Sequence, residues 1–304
     1  MTVIIYHDDN DGRCAAAIAM RVLRREKVDP LVVVFVPAMY NKRDEIVDAV
    51  GEGDEIFVVD FSFTAEQFGR LVKKSDRVTW IDHHKSAIAA LDGTPFMALP
   101  GKRDVSRAAC LLAWEYWYPD ALLPDVVKFI ADRDAWIWNF GIQTAEFHYG
   151  LSLFDTAPTA PIWGTLFEQP AVAAGKLRSD GRIVLQALEQ RFKEIRAAVA
   201  FDTHIVVPGA HQEDPKRYSV RAMNIAIAGS AAFGAPGWET GALPDDVDIC
   251  CQYYHNGEVF TISLYSKKGG VDVSEICKSF GGGGHAGAAG FTSKSLPGFL
   301  SRKE

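Results

Sequence analysis

Arg77-Val78-Thr79-Trp80-Ile81-Asp82-His83-His84 sets a β-prone apolar run directly against three ionisable side chains. A short run rich in branched and aromatic residues reads as a buried strand. An Asp and two His at its carboxyl end suit either a solvated turn or a site for a cation or phosphate. The choice depends on what other segments deliver to the same place. Val3-Ile4-Ile5-Tyr6 is a second such strand and runs into His7-Asp8-Asp9-Asn10-Asp11-Gly12. Glu55-Ile56-Phe57-Val58-Val59 is another and ends on Asp60, while Leu31 to Val36 adds one without ionisable residues at its end.

Between these strands lie helical patterns. Arg13 to Arg25 carries an apolar face (Ala16, Met20, Leu23), and Thr64-Ala65-Glu66-Gln67 has the form of a capping box. Strands alternating with helices predict a mostly parallel sheet. Ligands bind such sheets beyond the carboxyl ends of the strands, which is where His7, Asp60 and His83 fall. If the segment after Tyr6 stays extended, His7, Asp9 and Asp11 point to one side, and Gly12 permits a sharp turn into a helix whose N-terminus favours anions.

Downstream, helices are expected over about Ser106 to Tyr116 and Pro124 to Ala131, the latter closing on Asp132-Arg133-Asp134. Trp136 and Trp138 read as packing residues rather than base-stacking ones. Residues 150–178 look irregular, and Arg178 to Val199 is helical in period (Ile183, Leu185, Leu188, Phe192, Ile195). From His204 the texture turns to β, with strands at Ile205-Val206-Val207 and Tyr218 to Met223 and a hairpin about Asn256-Gly257. The expected fold is α/β: a mostly parallel-sheet domain over 1–178, a linker helix over 179–202 and a smaller α+β domain over 203–304.

The bulk properties narrow the class. The 304 residues are enough for two domains, and no apolar run approaches the ~20 residues that cross a bilayer. The first residues enter a strand without the features of a signal peptide, so a cytoplasmic protein with no membrane partner is expected. A net charge of −7 argues against coating long nucleic acid, but not against a local phosphate site. The five cysteines are scattered without a C-x-x-C spacing, which suits reduced thiols and supplies no zinc framework.

His7, Asp9, Asp11, Asp60, His83 and either Asp132 or Asp134 form a carboxylate-rich, cysteine-free set. Without cations such carboxylates would raise one another's pKa. Two divalent ions sharing a carboxylate explain the number of ligands, with Mn²⁺ favoured and Mg²⁺, Co²⁺ or Fe²⁺ as alternatives. Two ions about 3.5–4 Å apart suit hydrolysis at phosphorus. Gly281-Gly282-Gly283-Gly284-His285 has another logic: bare backbone N–H groups cradling a phosphate, with His285 donating to the same group. The bland alternative is a glycine helix cap and a turn.

In order and spacing, His7-x-Asp9-x-Asp11-Gly12, Asp60, Asp82-His83-His84 and Ile130-Ala131-Asp132 resemble the motif set of the DHH phosphoesterase superfamily. The tail, from Val271-Asp272-Val273-Ser274 through the glycine run to Ala288-Ala289-Gly290-Phe291, is similar to the first type of DHH-associated C-terminal domain. The resemblance implies a two-domain enzyme with its active-site cleft between the domains. His7, Asp9 and Asp60 would hold one Mn²⁺, and Asp11, Asp60, His83 and Asp132 a second. Asp82 would orient its neighbours, and His84 would contact the scissile phosphate.

Gly282, Gly283, Gly284 and His285 would bind the rest of a nucleotide. The sequence departs from the family pattern in two places. Asp134 offers a second carboxylate beside Asp132, and Tyr265 stands where many relatives carry an arginine. Tyr265 would stack on a base, leaving phosphate contact to Arg107, Arg221, Lys267 or Lys268. The implied function is Mn²⁺-dependent cleavage of short oligoribonucleotides, linear dinucleotides or nucleotide monophosphates, as in nanoRNase-like phosphohydrolases. Alternatives are a cyclic (di)nucleotide phosphodiesterase and a catalytically idle nucleotide-binding module. Relatives often form homodimers, an arrangement left open for this chain.

Overall fold

The computed structural model describes residues 1–207, 215–224, 245–267 and 269–301. Lys268 lies outside that set, as do the side chains of Phe192 and Ile195. The described chain clusters into two compact units: Met1–Ala135 with Phe147–Ser179, and Trp136–Glu146 with the residues from Asp180 onward.

The first unit begins with β1 (Thr2–His7), α1 (Asn10–Arg25), β2 (Val33–Ala38), α2 (Arg43–Ala49), β3 (Glu55–Val59), α3 (Ala65–Lys74), β4 (Val78–Ile81) and α4 (Lys85–Leu91). The four strands form a parallel sheet in the order β2-β1-β3-β4. Side chains alternate across it, as a strand's period of two requires. Ile4, Tyr6, Phe57, Val59 and Ile81 enter one core, and Val3, Ile5, Ile56, Val58, Val78 and Trp80 the other. A sheet buried on both faces explains why these strands read as continuous apolar runs rather than alternating ones.

The first core is completed by α1 and by α5 (Ala109–Trp117), α6 (Asp125–Asp134) and α8 (Pro161–Glu168). The helix α7 (Ile142–Leu151) precedes α8, and α9 (Pro170–Val199) follows it. Residues 150–178, expected to be irregular, thus contain the whole of α8 and the start of α9. Pro161 and Pro170 open these helices instead of breaking them, because a first-turn proline loses no helical hydrogen bond. The outer edge of β4 is covered by the chain at 100–104, where Trp80 N–H donates to Pro100 O at 2.8 Å and Asp82 N–H to Lys102 O at 3.1 Å.

In the second unit a mixed sheet runs in the order β5-β6-β7-β8-β10-β9. Its strands are β5 (Phe201–Val207), β6 (Lys216–Asn224), β7 (Ile249–His255), β8 (Phe260–Ser266), β9 (Gly283–His285) and β10 (Ala288–Ser293), with α10 (Val273–Ser279) before β9. Cys251 enters the main core of this unit and Cys250 a smaller cluster with Met223 and Val247, as alternation along β7 requires. All five cysteines are buried, and none is in a disulfide. No helix among the described residues is long and apolar enough to cross a membrane.

Candidate metal centre

The order β2-β1-β3-β4 reverses direction between β1 and β3, which opens a crevice beyond their carboxyl ends. His7 ends β1, Asp60 follows β3, and Asp82-His83-His84 follow β4. Asp60 occupies the left-handed region, with φ 55°, a conformation uncommon for any residue with a Cβ. The turn holds its carboxylate inside the crevice, where it is 1% exposed.

The segment after His7 is not extended throughout, which corrects the simple alternation expected for His7, Asp9 and Asp11. The chain enters α1 at Asn10. Asp9 is the N-cap, accepting from Gly12 N–H at 3.0 Å, and Asp11 lies in the first turn. Capping an exposed helix end outweighs continuing a strand that has no partner there. A Cβ at Gly12 would sit 2.1 Å from His7 O, so only glycine lets the helix start this close to the strand. Asp11 points inward and accepts from Ala109 N–H at 2.7 Å and Cys110 N–H at 2.8 Å, at the start of α5.

The side chains form two groups that share Asp60: His7, Asp60 and His84, and Asp11, Asp60 and His83. His7 Nδ1 is 2.9 Å from Asp9 Oδ2 and 3.6 Å from Asp60 Oδ2. On the other side, His83 Nε2 is 3.2 Å from Asp60 Oδ1, 3.4 Å from Asp134 Oδ2 and 3.7 Å from Asp11 Oδ2. The two oxygens of Asp60 therefore face different histidines. Residues two apart on a helix lie about 200° around its axis, so Asp132 and Asp134 cannot both face this cluster. Asp134 does. Asp132 is buried and joins none of the compact groups among the described residues.

The charges conflict in a way that a cation resolves. Burial, and then the neighbouring carboxylates, push Asp60 up to about 6 and Asp11 to about 7. Burial also lifts Asp134 to about 7, against the pull of His83. Burial opposes the charging of His7 and His83, yet the attraction of Asp60 and the other carboxylates pushes both up to about 11. Asp60 Oδ1 and Asp134 Oδ2 are buried and lack a hydrogen bond of good geometry among the described residues.

Ligands about 2.0–2.1 Å from one ion stand about 2.9–3.4 Å apart along the edges of an octahedral or tetrahedral shell. The separations around His83 Nε2 begin within that range. The donor set thus fits divalent ions, with Asp60 positioned to serve two.

Residues 1–133 match the sequence model described as DHH family, N-terminal domain. Residues 1–133 are a DHH-family domain. An uncharacterized protein of Acanthamoeba polyphaga mimivirus is 24% identical over 287 residues, covering 88% of this chain and 61% of that protein. The chain therefore spans about three fifths of the length of that curated relative. Two solved structures share the fold. The DHH domain of a member of the s1p family of ribosomal proteins superposes with a TM-score of 0.51 at 14% identity, covering 95% of this chain and 82% of that one. An exopolyphosphatase-related protein from Bacteroides fragilis gives 0.50 at 13% identity, covering 97% and 87%.

Around the DHH triplet, Asp82 is fully buried and accepts four hydrogen bonds. They come from the Ser62 hydroxyl, from His83 N–H at 2.8 Å, from His84 N–H at 3.3 Å and from His84 Nδ1 at 2.7 Å. Burial works against its charge, but His84 and Ser62 hold the carboxyl below its usual range. Ser62 escaped the reading of the sequence. Its only signal there is a hydroxyl set between Phe61 and Phe63, two residues after Asp60. Arg107 is engaged with Glu115 at 2.5 and 2.7 Å, which leaves it poorly placed as a phosphate ligand.

In the second unit the glycine run has intramolecular reasons. Gly281 (φ 80°) ends α10 in a Schellman motif, with Gly281 N–H donating to Lys278 O and Gly282 N–H to Cys277 O, each at 2.9 Å. A Cβ at Gly282 would lie 2.1 Å from Gly290 O, and one at Gly284 (φ 141°) 2.6 Å from Ala289 Cα. Gly281 and Gly283 both face open space, and of the two only Gly281 has the left-handed backbone that calls for glycine. His285 ends β9, paired with Ala288. Tyr265 stacks on Trp136 at 5.5 Å and 29°, and Trp136 meets Trp138 edge-on.

Proposed function

We propose that the protein is a divalent-metal-dependent phosphoric ester hydrolase acting on short nucleotide substrates: oligoribonucleotides of a few residues, linear dinucleotides or nucleotide monophosphates. The observation that carries this reading is the single buried carboxylate of Asp60 with one oxygen toward His7 and the other toward His83. His7, Asp9 and Asp60 would hold one ion, and Asp60, Asp11, His83 and Asp134 the second, with Mn²⁺ the favoured metal. When bound, such ions supply Lewis acidity to phosphoryl oxygens and lower the pKa of a water molecule.

The chain's own groups do the rest. Asp82 takes the Nδ1 proton of His84 in a hydrogen bond, which fixes the ring and leaves Nε2 to donate to a phosphoryl oxygen. Burial discourages the charge on His84, but Asp82 and Asp60 raise its pKa, which suits a cationic donor to developing negative charge. In the second unit, a base laid on Tyr265 would extend the stack that Trp136 begins. Gly283, whose α-carbon faces open space, is the member of the run best suited to approach a phosphate. The acidic balance of −7 favours substrates of a few nucleotides over long strands.

The test is hydrolysis of an end-labelled dinucleotide in Mn²⁺ by the wild type and by Asp60→Ala. Wild-type cleavage that disappears in EDTA and in the variant is expected; equal activity in both proteins refutes the mechanism.

A further inference from the structure

Far along α1 from the metal ligands, the same helix forms one wall of a groove of about 610 Å³ within the first unit. That volume is in the range of small-ligand sites, roughly 300–1,000 Å³. Ala17, Met20, Arg21, Arg24 and Arg25 all line it. They follow the i, i+3, i+4, i+7, i+8 pattern of a single helix face. Arg21 lies ten residues beyond Asp11, about 15 Å along the helix, so this groove is not part of the metal centre.

Three arginines line the groove against one carboxylate, Glu168, and none of the three makes an ion pair among the described residues. Elsewhere, Arg13, Arg70, Arg182 and Arg221 pair with Asp8, Asp44, Glu146 and Asp202, and Arg43, Arg77 and Arg103 donate to backbone carbonyls. The groove arginines rest on rings instead. Arg25 lies 5.0 Å from the centre of Tyr118 and Arg21 5.7 Å from that of Phe167. Trp163 lines the same groove and is 3% exposed, with its Nε1–H donated to Ala157 O at 2.9 Å. A guanidinium parked over an aromatic ring keeps its donors free for a planar anion.

Gly164 supplies an independent sign. It lies inside α8 and lines the groove, yet a Cβ built there meets nothing within 4 Å. Neither a close approach nor a left-handed backbone calls for glycine at this position, and glycine is among the poorest helix formers. Its effect is to leave room in the groove.

We propose that the groove formed by Arg21, Arg24, Arg25, Tyr118, Trp163 and Gly164 binds a small ligand with an aromatic ring and two or more anionic groups. That is the chemistry of a nucleoside di- or triphosphate, with phosphates on the guanidinium groups and the ring against the aromatic wall.

The test is calorimetric titration of ATP into the full chain in EDTA, where the metal centre cannot hold phosphates through a cation. The proteins are the wild type, Arg21→Ala/Arg25→Ala, and Gly164→Leu, which fills the groove without changing charge. Saturable binding to the wild type, weakened at least tenfold in both variants, is expected, with adenosine and inorganic tripolyphosphate each binding more weakly than ATP. Dinucleotide hydrolysis in Mn²⁺ should stay at the wild-type level in both variants, so this proposal can fail while the catalytic reading stands. ATP affinity equal in all three proteins, no binding at millimolar ATP, or displacement by an acidic peptide but not by ATP would each overturn it.

Discussion

Replacing Asp60 with Asn should change stability in opposite directions with and without metal. Asn is the suitable replacement because it keeps the shape of the side chain and tolerates the left-handed backbone at φ 55°. In the metal-free protein, burial and then the charges of Asp11 and Asp9 raise the Asp60 carboxyl from 3.8 to about 6. An acid whose folded pKa is raised binds its proton more tightly when folded. Asp60's share of the stability of the metal-free fold therefore falls as pH climbs from about 4 through about 6. By pH 7.5 the loss reaches about 3 kcal/mol, at about 1.4 kcal/mol per tenfold change in acidity.

Asp60→Asn removes that penalty. Part of the gain is returned because His7 and His83 lose the attraction that charges them, so about 3 kcal/mol is a ceiling. In EDTA at pH 7.5 the variant should thus melt at or above the wild type. With Mn²⁺ at a hundredfold over its dissociation constant, the wild type should gain about 2.7 kcal/mol and the variant almost nothing, reversing the order. Thermal melts of both proteins in EDTA and in Mn²⁺, at pH 5.5 and 7.5, read all four values. A variant several kcal/mol less stable in EDTA, with an unchanged Mn²⁺ response, would refute the view that Asp60 is a destabilising charge kept for metal.

Asp134→Asn should weaken Mn²⁺ binding at least tenfold by calorimetry, whereas Asp132→Asn should leave it within about threefold. The reverse order would restore Asp132 as the ligand. Mn²⁺ uptake should release protons, because His7 and His83 stay charged to about 11 and Asp11 and Asp134 hold protons to about 7 without metal. Affinity should therefore fall as pH drops from 8 to 6, and heats measured in buffers of different ionisation enthalpy count the protons. Ser62→Ala deprives buried Asp82 of a donor and should cost about 1–3 kcal/mol in chemical unfolding, with a fall in kcat larger than any change in KM. Gly282→Ala should destabilise the second unit in the same unfolding assay because its Cβ would strike Gly290 O at 2.1 Å. Gly283→Ala should leave stability within about 0.5 kcal/mol, so any loss of nucleotide affinity there reports on the ligand.

Much of the first unit is legible without coordinates. Each of β1, β3 and β4 is an apolar run that ends on a carboxylate or imidazole, so strand type, parallel sheet and the sided placement of the site all follow from local pattern. The helix α8 and the first turns of α9 are harder to see than the rest of α9, because prolines that open a helix look like punctuation when read along the chain. The glycine run was harder still. A left-handed Gly281 and a Gly282 pressed against Gly290 have their reasons in a helix end and a neighbouring strand that are distant or invisible in sequence.

The residue types, their order and their strand-end positions determine that the N-terminal part of this chain is a DHH-family domain with His7, Asp60 and His83 at one edge of a sheet. Those facts depend on periodicity and on chemistry, which sequence carries directly. Which of Asp132 and Asp134 faces His83, that Asp60 turns its two oxygens to different histidines, and that Ser62 holds Asp82 were decided only by tertiary structure. Each depends on the rotation of a helix or the course of a turn within a packed interior, where a few ångströms separate a ligand from a bystander.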